Sequence, residues 1–272
     1  MIAIFAAEFL IFRMKIAIIG AGSMGSAIAQ GLLQHNALEA CNLCIADLNA
    51  AALAPFKALG AQTFEFATAA VKEADLAVVA VKPWLAKEVM RSVSSALQPA
   101  AMVASIAAGI TLAQMQEELK GRTLFRVMPN IAVLAAQSMT FIASDNASEE
   151  QAQAMLNLFG LLGKSVFIPE QQMAAATALS SCGIAYAMRY ISANMRAGVE
   201  LGFTAEFAKE VMLQTVQGAV SLLKQTGEHP EKEIDKVTTP NGLTIRGLNE
   251  LEHSSFTSAV INAVKTSFKK ED

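Results

Sequence analysis

Cysteine is scarce in this sequence, with three in 272 residues at positions 41, 44 and 182. Three cysteines cannot build a disulfide framework, which excludes a stapled secreted scaffold. Cys41-Asn42-Leu43-Cys44 has redox or metal spacing, but no second cysteine pair and no nearby histidine completes a zinc site. Histidine is as sparse. His35 ends a helical stretch, His229 sits in a Gly-Pro break and His253 begins a helix, so no metal is expected. Buried packing is the expectation for Cys41 and Cys44, the latter inside a strand-like run, and Cys182 reads as a small apolar filler.

Charge is also low, with 17% charged residues and a formal net charge of −3. The densest basic run is Lys269-Lys270, which leaves nothing to attract a phosphate backbone or an acidic lipid surface. Nor is there the uninterrupted apolar run of about 20 residues that a bilayer span needs. The nearest candidate, residues 1–12, holds Glu8 and stops at Arg13, without the basic start or cleavage site of a secretion signal. Residues 1–13 are therefore expected to be an N-terminal appendage, with Met14 as an alternative start. Neither nucleic acid nor membrane is expected as a partner, and with too few cysteines for a disulfide framework and no export signal the reducing cytoplasm is the expected location.

Apolar residues are abundant, 53% of the chain, although aromatics are only 6%. The excess lies in Ala, Val, Leu, Ile and 13 Met, a helix-forming and adaptable set suited to a buried helical interface. From residue 14 to about 168, short β-rich runs alternate with helical stretches, the pattern of β-α units around a mostly parallel sheet. The runs are 16–19, 43–46, 76–81, 102–106, 123–127 and 139–142, several apolar at consecutive positions as in strands covered on both faces. After Pro169 the strand signal stops. Residues 174–202 and 204–225 read as two long helices, the second opened by Thr204, and a last one starts near Phe256. The expected organisation is α/β, with a dinucleotide-binding domain at 14–168 and an all-helical domain at 169–272. Alone, the second half would expose too much apolar surface, and dimerisation through it is the remedy.

Gly20-Ala21-Gly22-Ser23-Met24-Gly25 follows the first strand and opens a helix, the context that gives a glycine-rich loop its specificity for dinucleotides. Gly20 permits the tight turn, Gly22 lets a pyrophosphate approach the backbone, and Gly25 lets helix and strand pack closely. N–H groups at the helix start then bind the phosphates. Asp47 ends the second strand at about the distance where a carboxylate accepts from the adenosine ribose; it either does so, favouring NADH over NADPH, or caps the helix that follows.

Five further segments follow in order. They are Ala80-Val81-Lys82-Pro83; Ser105-Ile106-Ala107-Ala108-Gly109-Ile110-Thr111-Leu112; Arg126-Val127-Met128-Pro129-Asn130; Ala178-Leu179-Ser180 with Gly183 and Ala185-Tyr186; and Gly227-Glu228-His229-Pro230 leading to Val237-Thr238-Thr239-Pro240-Asn241-Gly242-Leu243-Thr244. With the glycine loop, they make the chain resemble the pyrroline-5-carboxylate reductases from about Met14 to the end. The resemblance implies a Rossmann-like cofactor domain, a helical domain that forms an interleaved dimer often assembled into a decamer, and a small substrate bound between them. It implies hydride transfer from NADPH or NADH to 1-pyrroline-5-carboxylate, giving L-proline in the last step of proline biosynthesis.

Carried onto this sequence, the resemblance sets Ala80, Val81, Lys82 and Pro83 beside the cofactor. Ala107, Ala108 and Gly109 would let the nicotinamide approach closely. Thr239, Asn241, Gly242, Leu243 and Thr244 would receive the substrate carboxylate, with the Thr244 hydroxyl on the ring nitrogen as the catalytic contact. For Thr244 a role as helix cap stays open, as does a solvated ammonium for Lys82 and a plain turn for residues 107–109. By the resemblance Glu170 and Asp235 could sit near the domain junction, although each reads first as a solvated helix-end carboxylate, and Trp84 reads as packing at a domain edge.

The chain departs from the family where Asn130-Ile131-Ala132 stands for Asn-Thr-Pro, Ser180-Ser181-Cys182-Gly183-Ile184 for Ser-Gly-Ser-Gly-Pro, and Pro240-Asn241-Gly242-Leu243-Thr244 for Pro-Gly-Gly-Thr-Thr. These changes make the pocket more apolar and leave open a different imine or keto substrate. A β-hydroxyacid dehydrogenase would need a lysine on a helix of the second domain, and residues 174–202 contain none. A non-catalytic dinucleotide-binding protein would bind cofactor without turnover.

Overall fold

The computed structural model describes residues 14–35 and 38–268, so the expected appendage, residues 1–13, lies outside the described residues. The chain forms two compact units, joined between Ser181 and Cys182. The first is an α/β unit whose sheet, among the described residues, has eight strands: β1 (Ile16–Ile19), β2 (Leu43–Ala46), β3 (Gln62–Phe64), β4 (Leu76–Val79), β5 (Met102–Ser105), β6 (Leu124–Met128), β7 (Ser138–Asp145) and β8 (Gly163–Phe167). Their order is β3-β2-β1-β4-β5-β6-β7-β8. All neighbours are parallel except β6 and β7.

Strands buried on both faces explain the continuous apolar runs. Ile16, Ile18, Ile45 and Val78 point to one side, packing with Ile28 and Leu32 of α1 (Ser23–Gln34) and Phe56 of α2 (Ala50–Ala58). After the very short α3 (Ala67–Ala70) comes α4 (Pro83–Val93). The alternate residues Ala17, Ile19, Ala77 and Val79 face the other way, toward Met90 of α4 and Met115 of α5 (Leu112–Glu118). This is the period-two division of a pleated strand, with both faces covered by helices. A capping box at Ser148 and Gln151 starts α6 (Glu149–Gly160), which packs on the first face.

Arg126, on β6, is the largest fully buried side chain. Its Nη1 donates to Glu170 Oε1 at 3.3 Å, and the same oxygen accepts the Leu112 N–H at 2.7 Å. Glu170 is thus no solvated helix end: it ties the start of α5 to the middle of the sheet. Replacing Glu170 by Ala removes one acceptor from the buried Arg126 guanidinium and the acceptor of the Leu112 N–H, and should lower unfolding free energy by about 2 kcal/mol. Denaturant titration checks this; an unchanged midpoint would mean that the pair contributes nothing.

The expected helix at 174–202 is interrupted. A short α7 (Met173–Ala176) passes into a π-helical turn, Thr177–Cys182, before α8 (Gly183–Glu200) begins. Ser180 and Ser181 turn to the sheet edge here, the Ser181 hydroxyl donating to the Pro129 carbonyl at 3.0 Å. These bonds, with Met173 buried, hold the segment to the first unit and carry that unit past Ile168 to Ser181.

In the second unit α8 is followed by α9 (Ala205–Thr226), α10 (Pro230–Val237), α11 (Leu243–His253) and α12 (Phe256–Ser267). A Cβ on Gly198 would lie 2.9 Å from that of Ala208, so α8 and α9 cross where both residues are small. The ring of Tyr190 meets Phe256 at 6.3 Å, and the Tyr186 hydroxyl bonds Ser267 on α12. Among the described residues of this unit only Ala208 is buried. Leu201, Leu213, Leu222, Val237 and Ile261 are exposed. Such a surface is that of an interface waiting for a partner.

Three smaller expectations are corrected. Cys41 is exposed, because it sits in the 3-10 turn Ala40–Asn42 ahead of β2, whereas Cys44 within β2 is buried and burial pushes its thiol up. His253 ends α11 instead of beginning a helix. Trp84, expected at a packed edge, is 76% exposed in the first turn of α4. Among the described residues no helix is long and apolar enough to cross a membrane.

Candidate active site

Strand order reverses between β1 and β4, and at such a switch point the carboxyl ends of the strands leave a crevice. The glycine loop fills its floor. Gly20 has φ +104°, a conformation open to glycine, and a Cβ there would stand 2.9 Å from the Ala80 carbonyl oxygen. Its N–H donates to the Ala46 carbonyl at 2.8 Å, tying the loop to β2. Gly25 packs still closer, since a Cβ would fall 1.9 Å from the Gly20 carbonyl oxygen. Gly22 differs: it caps α1 in extended conformation, and a Cβ there would meet nothing within 4 Å. The space over Gly22 is open, and the N–H groups of the first turn behind it have no acceptor within the helix. An open cradle with convergent donors fits a pyrophosphate.

A cavity of about 370 Å³ lies over this cradle. Gly20, Gly22, Ser23 and Met24 line one side, residues 80–83 beyond β4 another, and Ala107 and Ala108 beyond β5 a third. Ala21 and Gly25 are buried beneath it, and Gly109 (φ +76°) turns the chain away in the exposed bend after Ala108. Lys82 caps α4 through its backbone, with Pro83 as the first helical residue. The 107–109 bend is held from below by buried Ser105, whose Oγ accepts the Ala107 N–H at 3.3 Å. Ile106 and Leu85, not anticipated from the sequence, complete the walls.

Asp47 stands where β2 ends, and its carboxylate is already engaged. Oδ2 accepts the Ala21 N–H at 2.7 Å, and Oδ1 accepts the Asn49 N–H at 2.8 Å. Asn49, not Asp47, caps α2, its Oδ1 accepting from Ala51. Asp47 therefore pins the glycine loop to the end of β2. Each oxygen keeps a lone pair for a ligand hydroxyl. Beyond it opens a second cavity of about 270 Å³, which shares Gly20, Asp47, Val81 and Leu85 with the first and extends to Leu48, Glu65 and Phe66.

The Arg126-Val127-Met128-Pro129-Asn130 segment ends in a polar knot. The Asn130 N–H donates to Ser138 Oγ, its Oδ1 accepts the Ala132 N–H, and its Nδ2 donates to Ser180 Oγ at 3.1 Å. The departures Ile131 and Ala132 lie in the 3-10 turn Ile131–Ala135 beside that knot.

In the helical unit, Thr239, Asn241, Gly242, Leu243 and Thr244 form the turn into α11. Gly242 closes it by donating its N–H to the Thr239 carbonyl at 2.9 Å, and Asn241 takes φ +61°, a region Asn tolerates better than other side chains. Gly242 is the N-cap, so Thr244 is the second residue of the helix and its hydroxyl does not cap it. Thr244 and Leu243 are both exposed on this unit. Their N–H groups belong to the first turn, which carries the positive end of the helix dipole. Among the described residues no group of three His, Cys, Asp or Glu side chains could hold a metal ion.

Comparison with known proteins agrees with both units. The model for the dimerisation domain of pyrroline-5-carboxylate reductase matches residues 170–272, and that for coenzyme F420-dependent NADP oxidoreductases matches residues 15–109. The chain is 34% identical over 260 residues to pyrroline-5-carboxylate reductase of Arabidopsis thaliana, covering 94% of each. It is also 34% identical over 268 residues to pyrroline-5-carboxylate reductase 1 of Dictyostelium discoideum, covering 94% of this chain but only 49% of that protein, so it spans about half that relative's length. Among solved structures, the pyrroline carboxylate reductase of Plasmodium falciparum with NADP bound superposes with a TM-score of 0.89 at 28% identity, covering 96% of this chain and 98% of the other. With a glycine cradle at the sheet's switch point and a helical second unit of the dimerising type, the chain belongs to the pyrroline-5-carboxylate reductase family.

Proposed function

We propose that this chain reduces 1-pyrroline-5-carboxylate to L-proline with a reduced nicotinamide dinucleotide, closing proline biosynthesis. The observation that carries the reading is the open cradle over Gly22 in a chain that aligns with 94% of the Arabidopsis reductase. Gly20, Ala21, Gly22, Ser23, Met24 and Gly25 bind the pyrophosphate through backbone N–H groups. Ala80, Val81, Lys82 and Pro83, with Ala107, Ala108 and Gly109, flank the nicotinamide. Asp47 receives the adenosine ribose and favours NADH. When bound, the reduced nicotinamide supplies the hydride.

The imine of the substrate, protonated on nitrogen, is already electrophilic at C5. The enzyme therefore needs no metal and no strong acid; its task is near-attack placement. Hydride adds to C5, the C=N π electrons become the nitrogen lone pair, and the N–H proton stays in place. Residues 239–244 bind the carboxylate through N–H groups at the start of α11, and the Thr244 hydroxyl holds the ring nitrogen. A purified chain given 1-pyrroline-5-carboxylate should oxidise NADH and form proline one for one. Cofactor binding without turnover would overturn the reading in favour of a non-catalytic dinucleotide-binding protein.

The second unit makes the chain a homo-oligomer whose building block is a dimer, with a decamer as its further assembly. Light scattering of the purified protein should give at least twice the chain mass at micromolar concentration. A stable monomer would contradict it, given the apolar surface of α8 to α12. Three unpaired cysteines, one of them exposed, suit the reducing cytoplasm as its compartment.

A further inference from the structure

We infer that Glu65, standing beside Asp47, selects NADH against NADPH, and that Phe66 and Leu48 hold the adenine. The inference rests on the dinucleotide reading above. β3 runs parallel to β2 with Phe64 opposite Ala46, and the Asp47 N–H donates to the Phe64 carbonyl at 3.2 Å. Asp47 and Glu65 are therefore the next residues on neighbouring strand ends, about 5 Å apart in the hydrogen-bonding direction. Both line the 270 Å³ cavity that continues from the glycine cradle.

The two carboxylates differ in what holds them. Asp47 is fixed by the Ala21 and Asn49 N–H groups, so its charge is tied to the loop. Glu65 is exposed and makes no hydrogen bond or ion pair among the described residues, so it is available to a ligand. Among the described residues no Lys, Arg or His lines this cavity. A 2′-phosphate, carrying nearly two negative charges, would enter between two carboxylates with no cation to receive it. A 2′-hydroxyl donates to a carboxylate instead. Phe66 and Leu48, 60% and 80% exposed, flank the same recess with bare apolar surface that an adenine ring would cover. The relative from Plasmodium falciparum carries NADP, so selection against the phosphate is a property of these residues and not of the fold.

The test is a set of direct binding titrations. NADH and NADPH are followed by nicotinamide fluorescence, and 5′-AMP and adenosine 2′,5′-bisphosphate by competition, on the parent chain, Glu65→Gln and Phe66→Ala. The parent should bind NADH at least about tenfold tighter than NADPH, a gap that narrows as salt rises. Glu65→Gln should shrink that ratio by about fivefold, mostly by tightening NADPH, with adenosine 2′,5′-bisphosphate gaining in parallel. Phe66→Ala should weaken both dinucleotides alike, by about fivefold, and leave the ratio alone. An equal affinity in the parent, or an unchanged ratio in Glu65→Gln, overturns the role of Glu65 while the cofactor site stands. Failure of both dinucleotides to bind the parent overturns the site itself.

Discussion

Gly22→Ala should leave the melting temperature within about 3 °C of the parent while weakening dinucleotide binding at least about tenfold. Gly25→Ala, three residues on, should do the opposite first. At Gly22 the added methyl group meets no protein atom and projects into the cradle, so the fold tolerates it and the pyrophosphate does not. At Gly25 the methyl group lands 1.9 Å from the Gly20 carbonyl oxygen, which is backbone and cannot swing aside. Helix α1 must lift from the loop, at a cost of about 3 kcal/mol, and the melting temperature falls by roughly 6 to 12 °C. Thermal melts of the two variants with a fluorescence titration of NADH give the pattern. A destabilised Gly22→Ala with normal affinity, or a Gly25→Ala protein as stable as the parent, would contradict this account of the loop.

Thr244→Ala should lower kcat/KM by about 100-fold or more with little change in melting temperature and none in NADH affinity. Thr244 is exposed, its hydroxyl makes no hydrogen bond among the described residues and does not cap α11, so folding should lose little with it. Its whole effect is expected on the ring nitrogen of the substrate. Thr244→Ser, which keeps the oxygen, should recover most of the rate. Steady-state kinetics of both variants decide it: an unchanged rate in Thr244→Ala removes Thr244 from the site and shifts attention to the backbone N–H groups around it.

These two residues also show what a sequence can carry. The glycine loop was legible because its three glycines, the preceding strand and the following helix lie within twenty residues; Gly20 and Gly25 answer local steric demands, and Gly22 leaves the cradle open. Much of the sheet was legible too, since β1, β2, β4, β5 and β6 are buried on both faces and so read as apolar runs. β3 was not: Gln62–Phe64 is three residues long and only partly covered, and nothing in it alternates. Missing β3 hid Glu65 and Phe66, whose place at the cavity depends on pairing with β2 across eighteen positions. Glu170 was misread for the same reason. Its partner Arg126 lies 44 residues away, and no local pattern announces a buried ion pair. The π turn at Thr177–Cys182 escaped because the Ala-rich periodicity runs straight through it, while the hydroxyls of Ser180 and Ser181 answer to Asn130 and Pro129 on the far side of the chain.

The low charge of the sequence, 17% of residues, fits the site that emerged. In the proposed reading, a small zwitterion bound by helix N–H groups and a dinucleotide held by backbone donors need few ionised side chains; Asp47 pins the loop, and selection is the role proposed for Glu65. The departures at Ile131, Ala132, Cys182, Ile184 and Leu243 leave both features standing. The Asn130 knot keeps its hydrogen bonds, and the turn into α11 keeps its geometry with Asn241 in the left-handed region.

Hydride transfer itself is the central claim, and isotope tracing tests it most directly. The purified chain is incubated with 1-pyrroline-5-carboxylate and reduced nicotinamide dinucleotide deuterated at C4 on the transferred face, and the product is read by mass spectrometry and proton NMR. The account requires L-proline with one deuterium, located at C5, and one oxidised dinucleotide for each proline formed. Proline without deuterium at C5, or oxidation of the dinucleotide without proline, would contradict it.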